Sequence, residues 1–186
     1  MIPAATLEKI HRAVEFALIH HEGQYRKYPS PVGSGEKAPY AVHPMRIVLT
    51  LILHVGVTDE AALCAAALHD VVEDTTVDFD DVAKRFGEEV ATLVACMTKD
   101  KRLPEERREE EFLRQVAAAP LKARIVKLAD LYDNLGDALS ETVPADRRRN
   151  IARKKVPHVA SLCASMPEEY RGFAAEVKAR LERGLL

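Results

Sequence analysis

The strongest constraint on the fold is the spacing of apolar residues, which recurs at three and four positions along most of the chain. In residues 6–22, Leu7, Ile10 and Val14 follow this spacing, which is the period of an amphipathic helix. No segment shows the sustained alternation of apolar and polar residues, bounded by hairpin turns, that is typical of strands. We therefore predict an all-α fold.

Prolines and glycines divide this pattern into separate helices. A second helix is predicted from Pro44 to Gly56, because proline suits a first turn and glycine a C-terminal cap. The next three are predicted over residues 59–73, from Asp78 or Asp80 to about Gly87, and over residues 88–99. Further helices are predicted to begin at Pro104, at Pro120 or Leu121, near Pro144, and at Ser165. Ser165 and Glu168 have the spacing of a capping box.

Length and charge limit the class of protein. With 186 residues, the chain is long enough to bury a core, and we predict one compact multi-helix domain over residues 1–186. A net charge of -2 gives no general attraction to nucleic acid or to acidic membranes, so neither is expected as a partner. The basic run at 147–155 is interpreted as a solvated helix face.

The cysteines and the apolar runs indicate a cytoplasmic protein. Cys64, Cys96 and Cys163 have no C-x-x-C spacing and lie in apolar helical patterns, so we interpret them as reduced core residues. The N-terminal residues lack the pattern of a signal peptide, and the longest apolar runs are too short to span a bilayer. Homo-oligomer formation is left open.

The most informative stretch is ALHDVVEDT, residues 67–75, where an alanine-rich apolar run ends in a histidine and three acids. Asp70, Glu73 and Asp74 are three and four positions apart and would share one face of a helix, with His69 beside them. Carboxylates at this density repel one another and lose hydration unless a cation or hydrogen bonds compensate. A metal ion would provide that compensation, whereas an isolated His-Asp pair is more often a solvated helix end.

A further carboxylate lies in the apolar run IVKLADLYDNL. Asp130 follows Leu128 and Ala129 and precedes Leu131, so we predict that it is buried. Buried aspartates are almost always paired. Lys127, one turn earlier, is a structural partner that the sequence does not exclude.

The order of these motifs resembles that of a known family. His43, then His69-Asp70, then Asp130 form the H…HD…D pattern of HD phosphohydrolases. QYRK, PYAVHP, ALHDVVEDT, FGEEV and VKLADLYDNL, in this order, resemble the hydrolase domain of RelA/SpoT proteins. Since these motifs span residues 24–135 and the helical remainder continues to 186, the chain is most similar to the stand-alone small alarmone hydrolases.

The resemblance implies an HD-domain fold and one metal ion held by His43, His69, Asp70 and Asp130. Manganese is the usual ion in this family, and a set of two imidazoles and two carboxylates suits manganese or iron. The implied activity is removal of the 3′-pyrophosphate from (p)ppGpp, giving GDP or GTP and pyrophosphate, as in the stringent response.

The resemblance also implies roles for residues around the metal. Glu73 and Asp74 match the acidic pair that serves as general acid and base, and Asn134 matches an asparagine near the nucleotide and the catalytic water. Arg26 and Lys27 match the basic pair beside the nucleotide. The list of expected substrate contacts is completed by Tyr25, for stacking on the base, and Lys99, for a phosphate.

Three positions depart from the family pattern. Ala38 stands in the segment that usually reads GxPY, Leu131 replaces the basic residue after the last ligand, and Gly136 the arginine after NL. The loop at 28–38 is also longer. These departures leave open a related phosphatase acting on another nucleotide, such as NADPH or a phosphorylated nucleoside. A non-enzymatic nucleotide-binding regulatory domain is a third alternative, although it would not require both Glu73 and Asp74.

Overall fold

The computed structural model describes residues 2–30, 32, 35–164 and 166–186. Within these residues, helices form the regular secondary structure, and the only strand-like pairing is an isolated bridge between Tyr25 and Pro39. The all-α prediction is therefore confirmed. The helices are α1 Ala4–His20, α2 Val42–Leu49, α3 Glu60–Leu68, α4 Val71–Asp74, α5 Phe79–Phe86, α6 Glu88–Met97, α7 Glu105–Ala118, α8 Leu121–Ala138, α9 Ala145–Ala164 and α10 Arg171–Leu185. A π-helical turn, Thr50–Val55, continues α2, and a 3₁₀ turn, Glu168–Tyr170, precedes α10.

The core surrounds α3. All residues from Ala61 to Leu68 are buried, and α3 packs against α1, α2, α6 and α8. Its small alanine side chains allow close approach on every side. On the far side of α8, α9 and α10 pack extensively against each other and both contact α8. This arrangement places α8 between the α2–α3 layer and the α9–α10 pair.

Several predicted helix boundaries are confirmed by their caps. Asp59 accepts a hydrogen bond from the Ala62 amide at the start of α3, and Asp78 accepts one from the Asp81 amide at the start of α5. Gly56 ends the π-helical turn with φ 81°, a left-handed conformation that favours glycine. The predicted cap at Ser165 lies outside the described residues.

Two predicted boundaries were wrong. α2 begins at Val42 rather than at Pro44, and Pro44 fits within its first turn because the amides there have no partner inside the helix. The predicted helix over 59–73 is divided: α3 ends at Leu68, and α4 begins at Val71. Between them, Asp70 has φ -106° and ψ -5°, away from helical values. This break turns His69 and Asp70 toward the same point.

Among the described residues, no helix has both the length and the apolar character that a membrane span requires.

Candidate metal centre

His43 enters the site from the first turn of α2 and is fully buried. Its Nδ1 lies 2.6 Å from Oδ2 of Asp133 on α8. Because a carboxylate accepts, Nδ1 donates the hydrogen bond and carries the proton. The Nε2 of His43 is thereby directed to the opposite side, toward Asp70 and Asp130.

His69 enters from the end of α3 and is also buried. Its Nδ1 lies 2.9 Å from the carbonyl oxygen of Ala66 and donates to it, so Nε2 again faces inward. The Nε2 of His69 is 2.9 Å from Oδ2 of Asp70, and that oxygen is 3.6 Å from Nε2 of His43. Adjacent residues at the break between α3 and α4 thus converge on one point.

Asp130 projects from the middle of α8 and is buried, as the apolar run around it predicts. Its Oδ1 lies 3.0 Å from Nε2 of His43 and 3.6 Å from Nε2 of His69. Its Oδ2 is 2.7 Å from the ammonium of Lys127, so the ion pair that the sequence left open does form. Since it uses the other carboxylate oxygen, the pair leaves Oδ1 facing the histidines.

These contacts bring nitrogen and oxygen atoms that can ligate a metal to one point, and two of the nitrogens there have no hydrogen-bond partner. The Nε2 atoms of His43 and His69 are buried and make no hydrogen bond. The ligand atoms of His43, His69 and Asp130 lie within 4.8 Å of one another, and Asp70 adjoins both histidines. Although burial by itself lowers it, the carboxylates of Asp70 and Asp130 raise the pKa of His69 to about 10. The cluster therefore has a strong affinity for positive charge, and its donor set fits a divalent cation.

A second layer of polar side chains fixes the orientation of these ligands. Asp133 accepts from Nη2 of Arg46 at 2.9 Å as well as from His43. Asp137, one turn later on α8, accepts from Arg46 at 2.9 Å and from Nε of Arg26 at 2.8 Å. Although burial by itself raises it, the hydrogen bonds from His43 and Arg46 hold the pKa of Asp133 below its usual value. Asp133 therefore stays ionised and keeps the proton of His43 on Nδ1.

The predicted acidic pair lies on α4, beside the candidate metal ligands. An oxygen of Glu73 accepts from the Lys99 amide at 3.2 Å, and burial raises the pKa of Glu73. Asp74 is 3.2 Å from the ammonium of Lys101, and its carbonyl accepts from Gln24 at 2.8 Å. Both acids are thus held in place by loops from outside α4.

A cavity of about 340 Å³ adjoins the centre. The side chains of Tyr40 and Asn134 connect the two, because Tyr40 donates a hydrogen bond to Asp70 and Asn134 donates one to Asp130. Of the predicted substrate contacts, Tyr25, Arg26 and Lys27 line this cavity. The structure thus brings three of the four together at one opening.

Two of the predicted substrate contacts, Arg26 and Lys99, already have protein partners and are not free to bind a phosphate. Arg26 is only 7% exposed, and its guanidinium donates to Asn134 at 2.9 Å and to Asp137. Lys99 does not line the cavity; its ammonium pairs with Glu109 at 2.5 Å in a neighbouring depression. Arg26 thus supports the position of Asn134, and Lys99 contributes its amide to Glu73.

Comparison with known proteins agrees with this geometry. A family model described as an HD domain matches residues 13–163, which include all the ligand candidates. The chain belongs to the HD-domain family of hydrolases.

Two curated relatives and one solved structure illustrate the similarity to other HD domains. The guanosine-3′,5′-bis(diphosphate) 3′-pyrophosphohydrolase MESH1 of Drosophila melanogaster is 38% identical over 129 residues, 69% of each chain. The Homo sapiens protein of that name is 40% identical over 125 residues, 67% of this chain and 66% of the relative. The solved structure, described as a metazoan ortholog of SpoT that hydrolyses ppGpp, has a TM-score of 0.81 and 32% identity, covering 100% of this chain and 99% of that one.

Two departures from the HD-domain motifs have structural counterparts. Leu131 is buried and lines the cavity, so this wall has no charge at that position. At Gly136, an added Cβ would lie 2.8 Å from Nη1 of Arg180, whose guanidinium stacks on the Tyr132 ring at 3.5 Å. An arginine from α10 therefore occupies the space beside Gly136.

The sequence analysis missed Asp133, Asp137 and Arg46. Asp133 and Asp137 follow Asp130 at three and seven positions, and Arg46 follows His43 at three, so each pattern repeats along one helix face. This spacing could have identified the three residues as lying on the same helix faces as the candidate ligands.

Proposed function

We propose that this chain hydrolyses the 3′-pyrophosphate of (p)ppGpp, with manganese as its cofactor, and releases GDP or GTP and pyrophosphate. The observation that carries the proposal is the convergence of His43, His69, Asp70 and Asp130 beside a nucleotide-sized cavity. The names of the fly and human relatives and of the structural relative support the substrate. We place this activity in the cytoplasm, where the three free cysteines would stay reduced.

Four side chains would hold the ion, through Nε2 of the two histidines and one oxygen each of Asp70 and Asp130. When bound, a divalent cation lowers the pKa of water and polarises a phosphoryl oxygen. Manganese is proposed because the ligand set is nitrogen and oxygen only. Lys127 would remain on the other oxygen of Asp130 and limit how far that carboxylate can turn.

Glu73 is proposed as the general base. Burial raises its pKa, so it holds a transferred proton better than an exposed glutamate would. The Lys99 amide fixes its carboxylate. In the proposed reaction, water attacks the phosphorus attached to the 3′ oxygen, the bond between them breaks, and the proton taken by Glu73 passes to the leaving 3′ oxygen. Asp74 and Asn134 would orient the water and the nucleotide.

Pyrophosphate release from ppGpp in the presence of manganese tests the proposal. The protein should release pyrophosphate from ppGpp and pGpp, and Asp130→Ala should abolish this. Glu73→Gln should retain manganese binding while turnover falls by about 10²- to 10⁴-fold, because a base is lost and the ligands remain. Unchanged turnover in Glu73→Gln would exclude its role.

NADPH and simple nucleotides belong in the same measurement, since Leu131, which lines the cavity, and Gly136 depart from the family pattern. Faster release of phosphate from NADPH than of pyrophosphate from ppGpp would replace the proposed substrate. Binding of these nucleotides without any turnover would indicate the non-enzymatic alternative.

A further inference from the structure

The basic run at 147–155 does not face solvent along its whole length. Arg153 and Lys154 are exposed, as the sequence interpretation predicts. Lys155 is partly buried and, together with Ile151 one turn earlier, lines the same cavity as Leu131 and Asn134. The side of α9 that faces α8 thus brings one lysine of the run into the site.

Three lysines, Lys99, Lys127 and Lys155, lie near one another, and Lys155 differs from the other two in its partners. Lys99 pairs with Glu109 at 2.5 Å, and Lys127 pairs with Asp130 at 2.7 Å. Among the residues that the structure describes, the ammonium of Lys155 has neither a hydrogen bond nor an ion pair. Burial, followed by the nearby charges of Lys99 and Lys127, lowers the pKa of Lys155. Its positive charge is therefore held in place at an electrostatic cost that the protein alone does not offset.

An anion in the cavity would remove this cost. Glu109 is an unsuitable neutralising partner for Lys155, because it is engaged by Lys99 and lies 3.3 Å from His158. Leu131, which also lines the cavity, is apolar, although the family that the sequence resembles commonly has a basic residue at this position. Lys155 therefore brings to the cavity, from α9, a cation that has no anionic partner among the described residues.

We propose that Lys155 binds a phosphate group of the nucleotide and supplies from α9 the positive charge that position 131 lacks. This inference rests on the proposed function and identifies a binding residue for it. A lysine ammonium is a compact charge with three donors on a flexible stem, which suits a phosphate oxygen. The phosphate group that Lys155 contacts is either at the 5′ position or in the 3′-pyrophosphate. Kinetics with two substrates that differ only at the 5′ end distinguish these possibilities.

The test compares Lys155→Met with Lys154→Met. Methionine keeps the length and removes the charge, and Lys154 is the exposed neighbour on the same helix. Equilibrium binding of ppGpp is measured on metal-free protein, and KM and kcat for pyrophosphate release are measured with manganese. Lys155→Met should weaken ppGpp binding and raise KM by about tenfold, because a charge-assisted hydrogen bond is lost. Lys154→Met should match the wild type, and Lys155→Arg should restore most of the affinity.

Measuring KM with guanosine 3′-diphosphate, which lacks 5′-phosphates, shows which phosphate group Lys155 contacts. If Lys155 contacts the 5′-phosphates, the KM penalty of Lys155→Met disappears with this substrate. If Lys155 contacts the 3′-pyrophosphate, the penalty persists. Either result supports the inference.

Failure of the inference and failure of the proposed function give different results. If the wild type hydrolyses ppGpp and Lys155→Met behaves like Lys154→Met in binding and KM, the inference is overturned and the function stands. If no pyrophosphate is released but ppGpp binds and Lys155→Met weakens it, the function falls and the inference stands. A wild type that neither binds nor hydrolyses ppGpp overturns both. A drop in melting temperature of Lys155→Met with unchanged ppGpp affinity indicates a structural role and also overturns the inference.

Discussion

Replacing Asp133 by asparagine separates the orientation of the metal ligands from general stability. Asp133 accepts from Nδ1 of His43 at 2.6 Å and from Arg46 at 2.9 Å. The substitution keeps the shape of the side chain but removes its charge. The proton of His43 is then no longer held firmly on Nδ1, so Nε2 is less available to a cation.

The two expected effects differ in size. Loss of a carboxylate that orients a ligating histidine typically lowers metal affinity by about 10- to 100-fold, or about 1.4–2.8 kcal/mol. Removing one partner of a buried ion pair typically costs about 3–5 kcal/mol. The Arg46 side chain is 36% exposed and keeps Asp137 at 2.9 Å, so water and Asp137 offset part of that cost. We expect a loss of about 2 kcal/mol, or about 4–8 °C in melting temperature.

Asp137→Asn is the matched control. It removes the same charge from the same pair of arginines, one helical turn away, but Asp137 makes no hydrogen bond to His43. Both variants should lose stability by similar amounts in calorimetric melting of metal-free protein. In calorimetric titration with Mn²⁺, only Asp133→Asn should show the weakened affinity. Equal metal affinities in the two variants would show that the hydrogen bond from His43 to Asp133 does not strengthen metal binding.

Three further predictions concern charge and packing. Lys127→Met should lower the melting temperature of metal-free protein because it removes the ammonium that lies 2.7 Å from the buried Asp130 carboxylate, and added Mn²⁺ should recover part of the loss; identical melting of this variant and wild type without metal would contradict the pairing. Because its two neighbouring carboxylates raise the pKa of His69 to about 10, this imidazole is protonated at neutral pH, so Mn²⁺ uptake should release a proton and weaken as pH falls. Titration in buffers of different ionisation enthalpy measures this release, and a buffer-independent heat would count against it. Gly184→Ala should destabilise by about 1–3 kcal/mol, since its Cβ would lie 2.5 Å from a methyl of the partly buried Leu139. Gly172→Ala on the same helix meets nothing within 4 Å and should stabilise by about 0.5–1 kcal/mol; equal melting temperatures would disprove the packing argument.

The sequence carried enough information to predict the all-α fold and the burial of Asp130. Apolar spacing and caps such as Asp59 and Asp78 act locally, within a few residues of where they are read. Asp130 was predictable for the same reason, because its immediate neighbours on both sides are apolar. Features that depend only on neighbouring residues can therefore be predicted from the sequence.

The break between α3 and α4 was not predictable from periodicity. Val71 and Val72 continue the apolar spacing of α3, so the pattern suggests one helix, while the backbone at Asp70 departs from it. Nothing in the local residues opposes a continuous helix. The break brings His69 and Asp70 to one point, where they lie beside His43 of α2 and Asp130 of α8, residues far away in the sequence.

The second layer and Lys155 depend on contacts between distant parts of the chain. Asp133 is separated from His43 by 90 positions and from Arg46 by 87, so no local spacing links them. Lys155 belongs to a run whose charge density favours solvent, and its inward direction follows from the packing of α9 on α8. Such residues become visible only when the helices are placed together.

Under the proposed function, this chain releases pyrophosphate from ppGpp through a cation held by His43, His69, Asp70 and Asp130. The most direct test is a titration of metal-stripped protein with Mn²⁺ while pyrophosphate release from ppGpp is followed. We predict no release in chelator, and a rate that rises with added Mn²⁺ and saturates at one ion per chain. Release at the full rate from the stripped protein in chelator would contradict the claim.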